Sequence, residues 1–185
     1  MPSSAISDAK KAMERTLEAT REDFAAVRTG RANPGIYAKV LVDYYGNPTP
    51  LQQLASFAVQ DARTILISPY DVNALRDIEV ALSSSEVGAN PSNDGKVIRV
   101  VMPELTQERR QEYVKLIKSK AEEHRVSIRN ARRAAKEIID EMVDDGDIGK
   151  DEGRRAEKEL DELTRKYVDQ IDEMAKNKEE ELLEV

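Results

Sequence analysis

Apolar residues recur at helical spacing in three long stretches of the chain. The first, residues 5–29, has one apolar face with charged residues around it, which predicts an amphipathic helix. The second, Thr106–Val143, contains no Gly or Pro, and as a continuous helix it would be about 57 Å long. The third, Asp151–Glu184, follows a tight connector and is predicted to run back antiparallel. Three matched apolar stripes predict a three-helix bundle.

The central helix carries a heptad seam of small or apolar residues with one polar interruption. The seam consists of Val114, Ile117, Ala121, His124, Ile128, Ala131, Ala135, Ile138 and Met142. This spacing indicates lengthwise packing against other long helices. His124 is the only histidine and the chain has no cysteine. We therefore interpret His124 as a packing residue, and we expect no metal site.

Residues 31–103 have a different texture, because six of the seven prolines lie between Gly30 and Pro103 and β-branched and aromatic residues replace the Ala/Glu/Lys mixture. The pattern predicts strands at Tyr37–Tyr44, Ser56–Gln60, Arg63–Ser68 and Lys96–Met102, turns at 46–50 and 90–95, and a helix from an Asp71 N-cap through Leu82. The predicted fold class is therefore α+β, a long three-helix bundle (1–30 with 104–185) with an inserted small β/α/β domain (31–103).

The inserted module must be connected to the helices by two crossings of the chain. Both crossings are rich in Gly and Pro, which suits a hinge in which a few residues absorb the backbone rotation. The predicted hinge residues are Gly30, Pro34, Gly35, Met102 and Pro103.

Composition narrows the class of protein. Charged residues make up 35%, aromatic residues 4%, and cysteine is absent, which fits long amphipathic helices in a reducing compartment. We see neither a secretory signal nor an apolar run near the ~20 residues that span a bilayer, so we expect a cytoplasmic protein without a membrane partner. Residues 30–35 match no phosphate-binding loop, and the many carboxylates of the last helix are typical of a solvated surface. We therefore expect no enzymatic activity and no cofactor.

The net charge of −7 hides a strong local asymmetry. Five basic residues of the central helix, which we term the basic run, are Arg125, Arg129, Arg132, Arg133 and Lys136. No acid interrupts them, and they extend over about 17 Å of helix. The run could be a solvated face paired with acids of the last helix. It could also bind phosphate, where the planar arginine fork is well suited and the lack of aromatic residues favours backbone recognition.

Four motifs follow one another along the chain: VRTGRA at 27–32, YYGNPTPL at 44–51, LTQERR at 105–110 and RNARR at 129–133. Together they resemble the bacterial ribosome recycling factor family over essentially the full chain. The resemblance implies an L-shaped molecule, with a ribosome-binding three-helix bundle and a small β/α/β domain joined by a flexible double linker. It also implies a monomeric translation factor that performs no covalent chemistry.

The resemblance further implies a function and a set of contact residues. Family members bind the post-termination ribosome and, with elongation factor G and GTP, promote its dissociation into subunits and its release from mRNA. The family's key arginine falls on Arg132, with Arg129 and Arg133 in the same motif, and these would contact ribosomal RNA of the large subunit. Arg125 and Lys136 extend that surface. Arg28 and Arg31 match at the hinge end, and the small module would dock near elongation factor G.

The main alternative is a coiled-coil interaction protein or chaperone-like adapter that uses the heptad seam to bind partner helices. Such an adapter would show no salt-sensitive sedimentation with ribosomes, whereas an RNA-binding factor would.

Overall fold

The computed structural model describes residues 1–85 and 90–184. In this part of the chain the helices are α1 (Pro2–Ala25), α2 (Gly35–Ala38), α3 (Leu75–Ser83), α4 (Gln107–Asp144) and α5 (Lys150–Leu183). The strands are β1 (Leu41–Tyr44), β2 (Asn47–Pro50), β3 (Ala55–Asp61), β4 (Thr64–Pro69), β5 (Asn90–Asn93) and β6 (Ile98–Val101). Long helices and a small β domain confirm the predicted α+β class.

The chain divides into two compact units. The first comprises Met1–Phe24 and Val114–Glu180, and the second comprises Ala25–Tyr113 and Glu181–Val185. The sequence placed its boundaries elsewhere, at 30/31 and 103/104, and those functional domain limits remain a prediction. Residue 185, the last of the predicted bundle domain, lies outside the described residues.

The first unit is a bundle of α1, α4 and α5. Its core contains buried side chains at helical spacing, among them Ala5, Ile6, Ala9, Met13, Leu17 and Phe24 of α1, Ile117, Ala121, Ile128, Ala135 and Ile139 of α4, and Ala156, Leu160, Tyr167, Ile171 and Ala175 of α5. The predicted end of the first helix at residue 29 is wrong, because α1 ends at Ala25. The amide of Asn33 donates to the carbonyl of Ala25 at 3.1 Å, which satisfies a C-terminal carbonyl of α1 from outside the helix.

The predicted seam of α4 is correct along most of its length and wrong near its end. Ile138 is 44% exposed, whereas its neighbour Ile139 is 1% exposed and occupies the core. An α-helix turns once every 3.6 residues, so a strict heptad pattern drifts around a straight helix. The step from Ala135 to Ile139, four residues rather than three, absorbs that drift.

Two hydrogen bonds join α1 to the other long helices. His124 Nε2 lies 2.7 Å from Asp23 Oδ2, and the His124 side chain is 12% exposed within the seam. The hydroxyl of Tyr167 donates to Glu14 at 3.2 Å. Polar contacts at these positions are compatible with only one alignment of the helices, and they therefore help to specify the register of the bundle.

The second unit contains two antiparallel sheets. β1 pairs with β2 in one, and the other has the strand order β3-β4-β6-β5. The predicted turn at 46–50 is wrong, since Asn47–Pro50 is a strand and the turn lies at Tyr45 and Gly46, both with positive φ. This is the geometry of a tight two-residue hairpin. The predicted strand Tyr37–Tyr44 is shortened to Leu41–Tyr44, with α2 before it.

Strand β6 of the larger sheet buries one of its faces. Ile98 and Val100 are buried while Arg99 and Val101 are exposed, the alternation typical of a strand with one face on the core. Asp71 caps a 3₁₀ turn that leads into α3, rather than capping α3 directly. The predicted turn at 90–95 is partly wrong, because Asn90–Asn93 pairs with β6 as an edge strand. Pro91 is tolerated there because an edge strand has unpaired backbone groups on one side.

Gly153 marks a close approach of α5 to α4. A Cβ at this position would lie 2.7 Å from Val143 Cγ2, inside van der Waals contact. We expect Gly153→Ala to lower the melting temperature, because overpacking costs about 1–3 kcal/mol and exceeds the ~1 kcal/mol that alanine gains over glycine in a helix.

Gly149→Ala is the control that adds a Cβ without a packing contact, because no atom lies within 4 Å of a Cβ at Gly149. The Gly149 carbonyl accepts from the Gly153 N–H at 3.0 Å at the start of α5, so alanine at this N-cap position also costs some stability. Thermal unfolding followed by circular dichroism should show the larger loss of stability for the Gly153 variant. Equal melting temperatures for the two variants would contradict the close packing of α4 and α5.

Candidate nucleic-acid interface

Helix α4 carries the whole basic run on one side of the first unit. The apolar seam of α4 faces the other two helices of the bundle. The basic run therefore lies beside the seam and on the surface next to it. Arg125, Arg132 and Lys136 are half-buried, whereas Arg129 and Arg133 are exposed. The five side chains are therefore presented from a rigid, continuous helix rather than from a loop.

Two arginines of the run are held by aspartates of α5. Arg132 Nε donates to Asp161 Oδ1 at 2.6 Å, and Arg125 Nε donates to Asp172 Oδ1 at 2.8 Å. The Arg132 side chain is 31% exposed. The free protein thus keeps Arg132 both accessible and paired with an acid of the last helix.

The acids of α4 itself complete the pairing. Glu122 accepts from Arg125 at 2.7 Å and from Arg129 at 3.0 Å, and these hydrogen bonds hold the pKa of the Glu122 carboxyl below its usual range. Lys136 donates to Asp140 at 2.8 Å and lies 3.7 Å from Glu157 of α5. The Asp140 contact raises the pKa of Lys136.

Arg133 differs from the other four cations. It is exposed, and no carboxylate within residues 1–85 and 90–184 pairs with it. Its guanidinium is therefore available for an external anion without first leaving an internal partner.

Arg28 and Arg31, the other predicted contact residues, lie in the second unit. Arg28 Nη2 donates to the carbonyl of Pro103, and Arg28 Nε is buried without a hydrogen-bond partner among the described residues. Arg31 Nη2 lies 2.5 Å from Glu184 Oε2, with 73% of its side chain exposed. Arg31 is thus the more accessible of the two.

The predicted hinge residues also lie in the second unit, in different surroundings. Pro34 is the N-cap of α2, and the Gly35 N–H donates to Asn33 Oδ1 at 2.9 Å. Met102 is 1% exposed in the core, and its N–H donates to the Arg63 carbonyl at 2.7 Å. A residue packed and bonded in this way is the least suited of the five to backbone rotation.

Sequence reasoning missed the residues that hold the arginines. Asp161 and Asp172 came into the sequence analysis only as unnamed members of an acidic surface. They could have been found from the antiparallel connection, because Arg132 and Asp161 are nearly equidistant in sequence from the connector. Arg110 was missed as well. Its Nη1 donates to the carbonyls of Leu182 and Glu184 and so satisfies the C-terminal end of α5.

Other kinds of site are poorly supported in the described part of the chain. No group of three or more His, Asp or Glu side chains there could hold a metal ion. No helix formed by those residues is long and apolar enough to cross a membrane.

Comparison with known proteins identifies the family. The family model described as "Ribosome recycling factor" matches residues 20–183. This chain belongs to the ribosome recycling factor family. The ribosome-recycling factor of Micrococcus luteus is 72% identical over 180 residues, covering 97% of each chain, and that of Streptomyces coelicolor is 57% identical over 178 residues, covering 96% of each.

Solved structures of family members share the fold. A solution structure of the ribosome recycling factor has a TM-score of 0.80 and 38% identity, covering 100% of this chain and 98% of the other. A second structure has a TM-score of 0.71 and 36% identity over the full length of both chains. This second structure is described as models for the T. thermophilus ribosome recycling factor and the E. coli elongation factor G bound to the E. coli post-termination complex. The family predicted from the four motifs is therefore confirmed.

The two arginines bonded to Glu122 generate a testable prediction. We expect the Glu122 carboxyl to titrate below the usual range for glutamate, and Arg129→Ala to move its pKa upward, because one donor to the carboxylate is lost. The stabilisation from this pairing is present above the ordinary glutamate pKa and is lost as pH falls through the lowered value. Carboxyl chemical shifts in an NMR titration measure both effects.

Arg109→Ala is the control, since Arg109 pairs with Glu112 at 3.3 Å and not with Glu122. If the Glu122 pKa shifts equally in both variants, the pairing with Arg129 does not exist in solution.

Proposed function

We propose that this chain is a recycling factor that binds the post-termination ribosome. With elongation factor G and GTP, it promotes dissociation of the ribosome into subunits and release from mRNA at the end of translation. The observation that carries this proposal is the family match over residues 20–183, together with relatives of nearly equal length. The T. thermophilus relative, in the structure described with elongation factor G on the post-termination complex, supplies the partners.

The basic run supports a role in contacting RNA of the large subunit. Arg132 and Arg133 lie side by side on α4, one paired with Asp161 and one without a carboxylate partner in the described chain. Guanidinium groups on a rigid helix suit phosphate oxygens, and no aromatic side chain lies within the run to stack on bases. Recognition of the RNA backbone is the function this surface fits best. We include Arg28 and Arg31 in the proposed contact surface because they lie in the motif VRTGRA, which resembles the family.

We further propose that the chain carries out no covalent chemistry itself and that the GTP is hydrolysed by the elongation factor. It acts as a monomer in the cytoplasm, where ribosomes are recycled. The coiled-coil adapter is less well supported, because the apolar seam of α4 is already buried within its own unit and is not free for a partner helix.

The proposed hinge depends on backbone freedom at the two linker segments. Gly30 is its best candidate, because its N–H has no hydrogen-bond partner among the described residues. A Cβ at Gly30 would meet only Arg110 Nη2, at 3.7 Å. Rotation at Gly30 would therefore break no hydrogen bond of the Gly30 N–H and would disturb only the two long bonds of the Thr29 hydroxyl with the Arg31 N–H at 3.3 Å and the Arg31 carbonyl at 3.5 Å.

Removal of Arg132 should weaken ribosome binding without unfolding the bundle. For Arg132→Ala we expect the dissociation constant to rise on the order of tenfold and the salt dependence to lose about one unit of log–log slope. Helicity and melting temperature should stay close to those of the unaltered protein, because the side chain is at the surface. Sedimentation with salt-washed ribosomes across a salt series measures the change.

Arg155→Ala is the matched control, because Arg155 is an exposed arginine of α5 outside the basic run and its loss changes the net charge equally. If both variants bind ribosomes with the same affinity at matched salt, Arg132 is not part of the contact surface.

Restriction of Gly30 should slow splitting and spare binding. Gly30→Pro fixes φ, so we expect normal ribosome affinity with a slower release of subunits in the presence of elongation factor G and GTP. Light scattering of ribosomes follows the splitting, and Gly30→Ala is the control that adds a Cβ without locking φ. Equal splitting rates for the two variants would refute a mechanical role for Gly30.

A further inference from the structure

The basic run is almost fully neutralised inside the first unit. Four of its five cations make ion pairs, and Arg133 alone has no carboxylate partner among the described residues. The carboxylates involved number five: Glu122, Asp140, Glu157, Asp161 and Asp172. The surface therefore holds five basic and five acidic groups, and its formal charge is close to zero. The fold brings acids of α4 and α5 next to the basic residues that the sequence concentrates.

This neutralisation affects long-range and contact interactions differently. The field of an ion pair decays with distance faster than that of a single charge, and salt screens what remains beyond about 8 Å at physiological ionic strength. An RNA strand that passes at a distance therefore experiences little attraction. A phosphate already in contact with a guanidinium still finds donors, because Asp161 and Asp172 engage the Nε atoms and Arg132 keeps both terminal nitrogens for an external partner.

The aspartates of α5 differ from the acids of α4 in how they are positioned. Glu122 and Asp140 share a helix with the cations that they contact at short spacing, and such pairs are weak and local. Asp161 and Asp172 reach the run from a second helix, so their position depends on the packing of α4 against α5. They lie about three helical turns apart on α5, whereas Arg125 and Arg132 lie about two turns apart on α4, so the side chains lean toward each other to make both contacts.

We propose that Asp161 and Asp172 are specificity-determining residues that suppress binding of the basic run to generic RNA. They neutralise Arg132 and Arg125 toward any strand that does not bring its phosphates into direct contact. RNA whose shape matches the surface still reaches the free guanidinium nitrogens. This inference rests on the proposed function, in that the basic run is taken to contact ribosomal RNA. It adds that the carboxylates, and not only the arginines, select which RNA is bound.

The test compares the unaltered protein with the double variant D161N/D172N. The probe is a short fluorescein-labelled single-stranded RNA of mixed sequence, with binding followed by fluorescence anisotropy across a salt series. We expect the double variant to bind this RNA about tenfold more tightly at low salt, because the Arg132–Asp161 and Arg125–Asp172 ion pairs no longer compete. We also expect its log–log salt dependence to be steeper by about 0.7, since Arg132 is freed and adds about that much on a single strand, whereas Arg125 keeps its pair with Glu122.

A matched control separates local pairing from net charge. D8N/D151N removes two acids that do not contact the basic run, Asp8 of α1 and Asp151 of α5, and it changes the net charge equally. The inference predicts little change in affinity or salt dependence for this control. Equal gains for both double variants would overturn it, because they would reduce the effect to net charge. No gain for D161N/D172N would also overturn it.

A third arm distinguishes failure of this inference from failure of the proposed function. R125A/R132A removes the two arginines that the aspartates hold and is assayed on salt-washed ribosomes. If this variant binds ribosomes normally, the proposed RNA contact fails, and the inference fails with it. If it binds ribosomes weakly while D161N/D172N leaves generic RNA binding unchanged, the contact surface stands and only the role of the aspartates is refuted. Circular dichroism of each variant confirms that the bundle is intact.

Discussion

The antiparallel packing of α4 against α5 is the constraint on which the first unit depends. Apolar side chains such as Ile128 and Leu160 are fully buried, and their burial holds the two helices in one register. Once that register is set, the positions of the polar residues at the edge of the seam follow. Asp161 then lies within hydrogen-bond distance of Arg132. The close approach at Gly153 places the connector end of the pair and requires a residue without a side chain.

The ion pairs of the basic run suit a protein that binds RNA reversibly. A recycling factor must bind a particle that is mostly RNA and must also leave it. A dense array of unpaired arginines would bind tightly to any RNA and would release slowly. A neutralised array attracts weakly at a distance and still offers hydrogen-bond donors on contact. The exposed Arg133 is the exception, because no carboxylate of residues 1–85 and 90–184 pairs with it.

Much of the fold can be predicted from the spacing of apolar residues alone. The three long helices, the seam through Ile117, Ala121 and Ile128 and the alternation along β6 follow from periodicities of 3.6 and 2 residues. The errors fall where local signals compete. Tyr45 occupies a left-handed backbone conformation that its side chain disfavours, so the hairpin turn was placed too late. Ile138 and Ile139 are adjacent and equally apolar, and only the packed partner decides between them.

By itself the sequence determined the fold class, the family and the location of the basic run, because each is encoded in local residue order or in motifs. It left two interpretations of that run open, a paired surface and an RNA contact. The tertiary structure decided that Arg125 and Arg132 are paired, through Asp172 and Asp161, and that Arg133 is not paired within the described chain. The physical reason is distance: residues far apart in sequence meet only when two helices pack, and the net charge of the surface is the sum of the charges on both helices.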